Sequence, residues 1–201
     1  MFCGCPTEGS SAVRTDRKGG RGAACRRLAA LALLLWCLPP AGVLAEDETQ
    51  TLIGDGLQIA LPAAALTMTV MLEDAGGRAQ FAAGFTAAMG LTYALKLSVD
   101  KERPNGGDMS FPSGHAAAAF NGASFIQRRY GWACGLPAYA AAAFVGYSRI
   151  QSEDHYLEDV LAGAFIGTLG TYVLTRPLPD GMQVGCLIRP GSYGMSLAMR
   201  W

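Results

Sequence analysis

Three short clusters between positions 96 and 159 hold the side chains of this sequence that are best suited to chemistry. The clusters are Lys96 to Arg103-Pro104, Pro112-Ser113-Gly114-His115, and Ser148-Arg149 to His155 and Asp159. The chain has 2 histidines, and both lie inside these clusters. Lys and Arg supply fixed positive charge, and His supplies a nucleophile or a proton donor near neutral pH. This concentration predicts a site for an anionic substrate.

The cations and one predicted helix start are suited to a phosphate group. Lys96, Arg103 and Arg149 would bring three positive charges into one pocket, and Arg offers paired donors to a tetrahedral anion. Ser113 and Gly114 open a predicted helix, whose free backbone N–H groups favour an anion. Glycine also allows a ligand to approach the backbone closely. We therefore predict that these five residues bind phosphate.

The two histidines suggest the reaction. His155 and Asp159 are four residues apart on a predicted helix, so their side chains share a face. A carboxylate there can bind one ring N–H of His155 and leave the other nitrogen free as a nucleophile. His115 remains as the general acid for the leaving oxygen. Two histidines with few carboxylates nearby do not make a metal ligand set, so we expect no metal and no cofactor.

Each cluster taken alone also has a simpler interpretation. Asp159 is suited to an ordinary place in the first turn of a helix, where the helix dipole favours a carboxylate. The other charges near the clusters are expected to be solvated loop or helix-start residues: Lys101, Glu102, Glu153, Asp154 and Glu158. The joint occurrence of the three clusters favours the functional interpretation.

After a short polar link that precedes residue 56, five apolar segments would position the clusters, at roughly 56–72, 79–98, 113–129, 132–149 and 155–175. They are rich in Ala, Leu, Gly and Met, which predicts helices, and glycine pairs such as Gly76-Gly77 would separate them. Short connections between antiparallel helices place both cluster-bearing loops at the same end of a bundle. We predict an all-α fold, a bundle of five to six helices, with a short C-terminal β-hairpin.

The composition does not decide whether this bundle lies in a membrane or in water. Hydrophobic residues make up 51% of the chain and charged residues 16%, against about 25% charged in soluble domains. The longest charge-free stretches of the helical segments are 19 residues, at 109–127 and 130–148, in the lower part of the range for crossing a bilayer. Membrane helices and a soluble bundle therefore both remain open. The formal net charge is +0, which argues against nucleic acid as a partner.

The first 45 residues have the pattern of an export signal. A basic segment precedes an apolar run at 28–38, and small residues stand at 43 and 45 before the acidic Glu46. This predicts a signal peptide cleaved after Ala45, or alternatively an uncleaved first membrane helix. The domain organisation is then a leader at 1–45, a helical domain at 46–175 and a tail at 176–201.

The charge distribution predicts a bacterial envelope protein. If the helices span the inner membrane, alternation puts four arginines on the cytoplasmic side and the three clusters on the periplasmic side. These arginines are Arg78, Arg128, Arg129 and Arg176. The simpler interpretation of Arg128-Arg129 is a solvated helix end. The alternative location is the periplasm, after signal cleavage.

Two cysteines, Cys134 and Cys186, lie beyond the leader. A disulfide between them would fit an oxidising compartment. Cys134 opens an apolar run, however, so the pattern favours a thiol that is simply buried.

The three clusters resemble the signature of the type 2 phosphatidic acid phosphatase superfamily, which includes bacterial class A acid phosphatases and vanadium haloperoxidases. Its pattern is Lys-x6-Arg-Pro, then Pro-Ser-Gly-His, then Ser-Arg-x5-His-x3-Asp, and all three parts are intact here. The resemblance implies a helical fold and metal-independent hydrolysis of phosphomonoesters or pyrophosphates through a phosphohistidine. It also implies that His155 is the nucleophile, that Asp159 is its partner and that His115 protonates the leaving group.

The resemblance leaves the substrate open. Near-spanning helices favour a phosphate-bearing lipid, such as phosphatidic acid, a polyprenyl pyrophosphate, phosphatidylglycerophosphate or lipid A phosphate. The alternatives are a soluble periplasmic acid phosphatase acting on a small phosphomonoester, and a vanadium-dependent haloperoxidase, which the short connections of this chain disfavour. A non-catalytic membrane protein that kept the scaffold is a further alternative, against which the intact clusters argue.

Overall fold

A computed structural model of the protein describes residues 46–178, 182–189 and 192–199. They contain five helices, which are α1 Glu46–Met71, α2 Ala75–Ser98, α3 Gly114–Tyr130, α4 Trp132–Gln151 and α5 Leu157–Leu174. The predicted all-α bundle is thus confirmed. The predicted leader, residues 1–45, lies outside the described residues.

Two strands follow the helices. β1 Met182–Arg189 and β2 Ser192–Met199 pair antiparallel, with Met182 opposite Met199 and Arg189 opposite Ser192. The backbone of β1 lies against α4 and α3. Such a contact gives a two-stranded hairpin the support that it lacks on its own.

Helix α3 is the centre of the bundle and packs against each of the other four helices. Its first half is a run of small residues, Ala116 to Ala119, all of them buried. Small side chains let neighbouring backbones approach closely, so four helices can surround one. Further along α3, Phe125 is buried edge-on against Phe81 and Tyr130, with ring centroids 5.0 and 5.9 Å apart.

Two glycines bring α5 against the backbone of α3. A Cβ atom at Gly163 would lie 2.2 Å from the Ser113 carbonyl oxygen, and one at Gly167 would lie 2.2 Å from that of Ala117. The side-chain amide of Asn121 donates to the Gly167 carbonyl at 3.0 Å. This contact fixes the start of α3 relative to the start of α5, where two of the predicted clusters lie.

The end of the bundle opposite these helix starts is held by a buried ion pair. Asp74 caps α2 by accepting the Gly77 N–H at 2.8 Å, and its two carboxylate oxygens each lie 2.7 Å from the Arg129 guanidinium. Helix α2 therefore begins at Ala75, and Gly76-Gly77 lies in its first turn instead of separating two helices. Arg129 is 9% exposed, so its interpretation as part of a solvated helix end is wrong.

Helix α1 begins at Glu46, well before the predicted start at 56. The residues expected to form a polar link are helical, and they add almost three turns beside α4. As a result Thr51 and Asp55, which are four residues apart, lie on one face of α1.

Cys134 lies at the start of α4 and is 5% exposed, as expected for a buried residue. It is bonded in a disulfide, however. The expectation of a free buried thiol is therefore wrong.

Candidate active site

The start of α3 presents backbone N–H groups next to open space. Ser113 caps the helix, is fully buried, and accepts the Ala116 N–H at 3.4 Å. Its own N–H donates to the Asp159 carbonyl at 2.9 Å. A Cβ atom at Gly114 would meet no atom within 4 Å. The helix start is thus fixed by its cap while its N–H groups remain open to an anion.

His115 is the second residue of α3 and is half-buried. Its Nε2 lies 3.3 Å from Oδ1 of Asp55 on α1. Burial lowers the pKa of His115, and the positive charge of Arg149 lowers it further. The carboxylates of Asp55 and Asp154 act in the opposite direction and favour the charged imidazolium. The protonation of His115 therefore depends on the balance between one guanidinium and two carboxylates.

Arg149 connects α4 to α1 and to the turn that follows α4. The side chain is 3% exposed, and its Nη1 lies 2.9 Å from Asp55 and 3.3 Å from Asp154. Its Nη2 donates to the Thr51 carbonyl at 3.0 Å. A buried guanidinium is tolerated only with partners of this kind. The contacts hold it in place as a preformed anion ligand.

Lys96 reaches the site from the last turn of α2, and Arg103 from the connection that follows it, residues 99–113. The Lys96 Nζ donates to the Met109 carbonyl at 2.5 Å, and the Arg103 Nε donates to the Asp108 carbonyl at 3.0 Å. Nη1 of Arg103 also lies 3.7 Å from Asp154. Burial lowers the pKa of Lys96, and the nearby Arg103 charge lowers it further. Two like charges held this close are suited to an anion between them.

His155 lies in the turn between α4 and α5 and is 3% exposed. Its backbone N–H donates to the Arg149 carbonyl at 3.2 Å. Within the described part of the chain, its Nδ1 has no hydrogen-bond partner. Burial lowers the pKa of His155 to about 4, and the positive charges of Lys96 and Arg103 contribute. The imidazole is therefore neutral at pH 7.

Asp159, in the first turn of α5, is fully buried. Its carboxylate accepts from Lys101 Nζ at 2.6 Å, Ser110 Oγ at 2.5 Å and the Tyr156 N–H at 3.1 Å. The predicted hydrogen bond to His155 is not among these contacts of the described residues. Asp159 instead fastens the 99–113 connection to the start of α5.

The two connections contact each other at one end of the bundle. The Asn105 N–H donates to the Glu153 carbonyl at 3.1 Å, and Asp154 lies between Arg103 and Arg149. All three clusters thus meet at this end. Within the described ranges, no group of three His, Cys, Asp or Glu side chains is placed to hold a metal ion.

Three residues of this end were missed or misjudged from the sequence. Lys101 and Asp154 were expected to be solvated, yet Lys101 binds the buried Asp159 and Asp154 pairs with Arg149. Asp55 lies in the segment that the sequence predicts to be a polar link, so the sequence does not single it out as a site residue. If the sequence had been read as helical from Glu46, the four-residue spacing of Thr51 and Asp55 would have placed both residues on one face of α1.

Comparison with known proteins agrees with this architecture. Residues 78–181 match the model of the PAP2 superfamily. A lipid A 4'-phosphatase of Helicobacter pylori is 31% identical over 159 residues, which cover 72% of this chain and 80% of that protein. A lipid A 1-phosphatase of Porphyromonas gingivalis is 39% identical over 93 residues, which cover 44% of this chain and 21% of that protein.

A solved structure has the same helical fold. The crystal structure of Aquifex aeolicus LpxE superposes with a TM-score of 0.57 and 21% sequence identity, covering 71% of this chain and 92% of that one. The helical bundle and the family match together define the class. The chain belongs to the PAP2 superfamily.

Proposed function

We propose that this protein is a phosphatase that removes a phosphate group from a membrane lipid, without a metal ion, through a phosphohistidine on His155. The observation that carries the proposal is the state of His155, a buried imidazole with a pKa of about 4 in the field of Lys96 and Arg103. A neutral imidazole has a free electron pair for nucleophilic attack. Fixed cations beside it stabilise the negative charge of a pentacoordinate transition state.

In the first step, the unprotonated ring nitrogen of His155 attacks phosphorus. As the N–P bond forms, the P–O bond to the lipid breaks, and His115 passes its proton to the leaving oxygen. Arg149, Lys96, Arg103 and the N–H groups at the start of α3 bind the phosphate oxygens. The product is a phosphohistidine with a neutral His115.

In the second step, water attacks phosphorus, and His115 takes a proton from it. The N–P bond breaks, inorganic phosphate leaves, and both imidazoles return to their starting states. Asp159 supports both steps by holding Lys101 and Ser110 in place, and its negative charge favours the cationic phosphoimidazole.

A lipid is favoured as the substrate for two reasons. The relatives above are named lipid A phosphatases. In addition, apolar side chains of α5 recur every four residues on its exposed face: Leu157, Leu161, Phe165, Leu169 and Val173. An apolar stripe of this kind is suited to acyl chains more than to water. Phosphate on lipid A or a similar lipid is therefore proposed over a small soluble phosphomonoester or a haloperoxidase reaction.

The proposed location is the periplasmic face of the bacterial inner membrane. In the part of the chain that the structure describes, two helical segments are long and apolar enough to cross a membrane, Glu48–Met71 in α1 and Leu157–Leu174, which is α5. The disulfide at Cys134 fits an oxidising compartment.

The function is tested with purified protein, lipid A, phosphatidic acid and p-nitrophenyl phosphate, by measuring phosphate release with and without EDTA. We expect hydrolysis of a lipid phosphate in EDTA, and its loss in His155→Ala. In kcat/KM, which reports the first step, His115→Ala should lose about 10²–10⁴-fold on the lipid, but far less on p-nitrophenyl phosphate, whose leaving group departs without a proton. Full hydrolysis by His155→Ala, or equal losses of kcat/KM by His115→Ala on both substrates, would contradict the assigned roles.

A further inference from the structure

We propose that Asp55 of α1 is a positioning residue that favours the charged form of the His115 imidazole and orients its ring towards the phosphate pocket. This inference rests on the proposed function, because it assigns His115 as the proton donor. Asp55 lies before residue 78, where the match to the family begins, and outside all three clusters.

The first observation is the geometry around the carboxylate. Oδ1 of Asp55 lies 3.3 Å from His115 Nε2 and 2.9 Å from Arg149 Nη1. Asp55 therefore contacts the proposed acid and a proposed phosphate ligand with one oxygen. With Nε2 facing Asp55, Nδ1 is the ring nitrogen left to serve the leaving oxygen.

The second observation is that α1 is held tightly at this point. A Cβ atom at Gly54 would lie 2.1 Å from Ser148 Oγ, so α1 and α4 are packed against each other at the residue next to Asp55. One turn earlier, the Thr51 carbonyl accepts from Arg149 at 3.0 Å. The backbone that carries Asp55 is thus fixed relative to the site, as a positioning residue requires.

The third observation is the balance of charge on His115. The charged groups that act on it come from three elements: Asp55 on α1, Arg149 on α4 and Asp154 in the turn after α4. Burial and Arg149 disfavour the imidazolium, whereas a proton donor must carry its proton. Asp154 is shared among Arg103, Arg149, Ser152 and Asn105. Asp55 is the carboxylate that directly contacts the His115 ring.

A simpler alternative is that Asp55 only neutralises Arg149 until phosphate arrives. In that case Asp55 competes with the substrate for Arg149. Removing the Asp55 carboxylate should then tighten phosphate binding without changing the pKa of His115. The two interpretations thus predict different changes for Asp55→Asn.

The test compares wild type with Asp55→Asn, Asp55→Glu and the control Glu48→Gln, which changes an exposed carboxylate on the same helix. The pH dependence of kcat and KM is measured on the best substrate. We expect Asp55→Asn to move the alkaline limb to lower pH and to reduce kcat about tenfold, less than the loss of a general acid. Asp55→Glu should recover part of kcat, and Glu48→Gln should match wild type.

A second measurement does not depend on activity. Because the chain has 2 histidines, ring-¹⁵N-labelled protein gives two imidazole spin systems, and the signal missing in His115→Gln identifies His115. We expect His115 to titrate at lower pH in Asp55→Asn and His155 to be nearly unchanged. An unshifted His115, or an unchanged kcat profile with a lower inhibition constant for inorganic phosphate, would overturn the proposal. Failure of the phosphatase proposal itself would appear separately, as an inactive wild type.

Discussion

At the scale of single residues, the two histidines of the site lie in different electrostatic surroundings. His155 is buried among cations and has a pKa of about 4, which leaves it neutral. His115 lies between one guanidinium and two carboxylates, so it can keep a proton in a similar pH range. Two titratable groups whose surroundings differ in this way are the usual source of a base and an acid in one site.

We predict an acidic, bell-shaped pH profile of kcat/KM. His155 must be neutral, so activity should fall as pH drops towards about 4. His115 must be protonated, and its lowered pKa places the alkaline limb below 6.5, the value of an unperturbed histidine. Values of kcat/KM on the lipid, whose leaving oxygen needs a proton, measured between pH 3 and 9, would check this. A profile that is flat from pH 4 to 9 with chemistry rate-limiting, or one with both limbs above pH 7, would contradict it.

At the scale of elements, the contact between α3 and α5 positions the site. The Gly163 and Gly167 contacts let α5 approach the backbone of α3, so Ser113 at one helix start can bind the Asp159 carbonyl at the other. Any side chain larger than hydrogen at Gly163 would push the two starts apart. The N–H groups that we propose to bind phosphate and the turn that carries His155 would then separate.

We predict that Gly163→Ala lowers the free energy of unfolding by about 1–3 kcal/mol through overpacking, and reduces activity as well. Gly90→Ala is the matched control, because a Cβ atom at Gly90 on α2 would meet nothing within 4 Å. That change should raise stability by about 0.5–1 kcal/mol, since alanine has less backbone freedom to lose. Chemical unfolding followed by circular dichroism measures both. Equal effects of the two changes would disprove the close-approach argument.

At the scale of the whole molecule, two features bear on where the protein works. Exposed apolar side chains on α1 and α5 favour contact with lipid. The disulfide at Cys134 lies at the end of the bundle remote from the site, and it favours an oxidising compartment at that end. A protein that spans the membrane with its arginines inside would expose that end to the reducing cytoplasm. Arg129 forms an ion pair with Asp74, so its charge is weaker support for placing this end of the bundle on the cytoplasmic side.

We predict that activity sediments with membranes and resists high salt, because apolar contacts do not weaken with ionic strength as charge contacts do. Alkaline carbonate should release a surface-bound domain and leave a spanning one in the pellet. Activity assays on each fraction decide between the two. Full release into the soluble fraction by salt alone would contradict membrane attachment and favour a soluble periplasmic enzyme.

The sequence by itself determined the helical class and the three clusters. Alanine-rich segments with polar connections have few alternatives to a bundle, and antiparallel packing then requires that both connections lie at one end. Eight candidate residues followed from residue type and spacing alone. Their catalytic and binding roles stay predictions for the experiments above.

Only the tertiary structure decided which charges pair. Lys101 with Asp159, Asp55 with His115 and Arg129 with Asp74 join residues that are far apart in the chain or on different helices. The local sequence pattern carries no information on such partners. A solvated carboxylate in a link and a paired carboxylate in a buried cluster can have the same kinds of neighbouring residues. The extent of α1, and with it the place of Asp55, depends on packing against α4 through Gly54. Packing of this kind overrides the local preference that suggested a link.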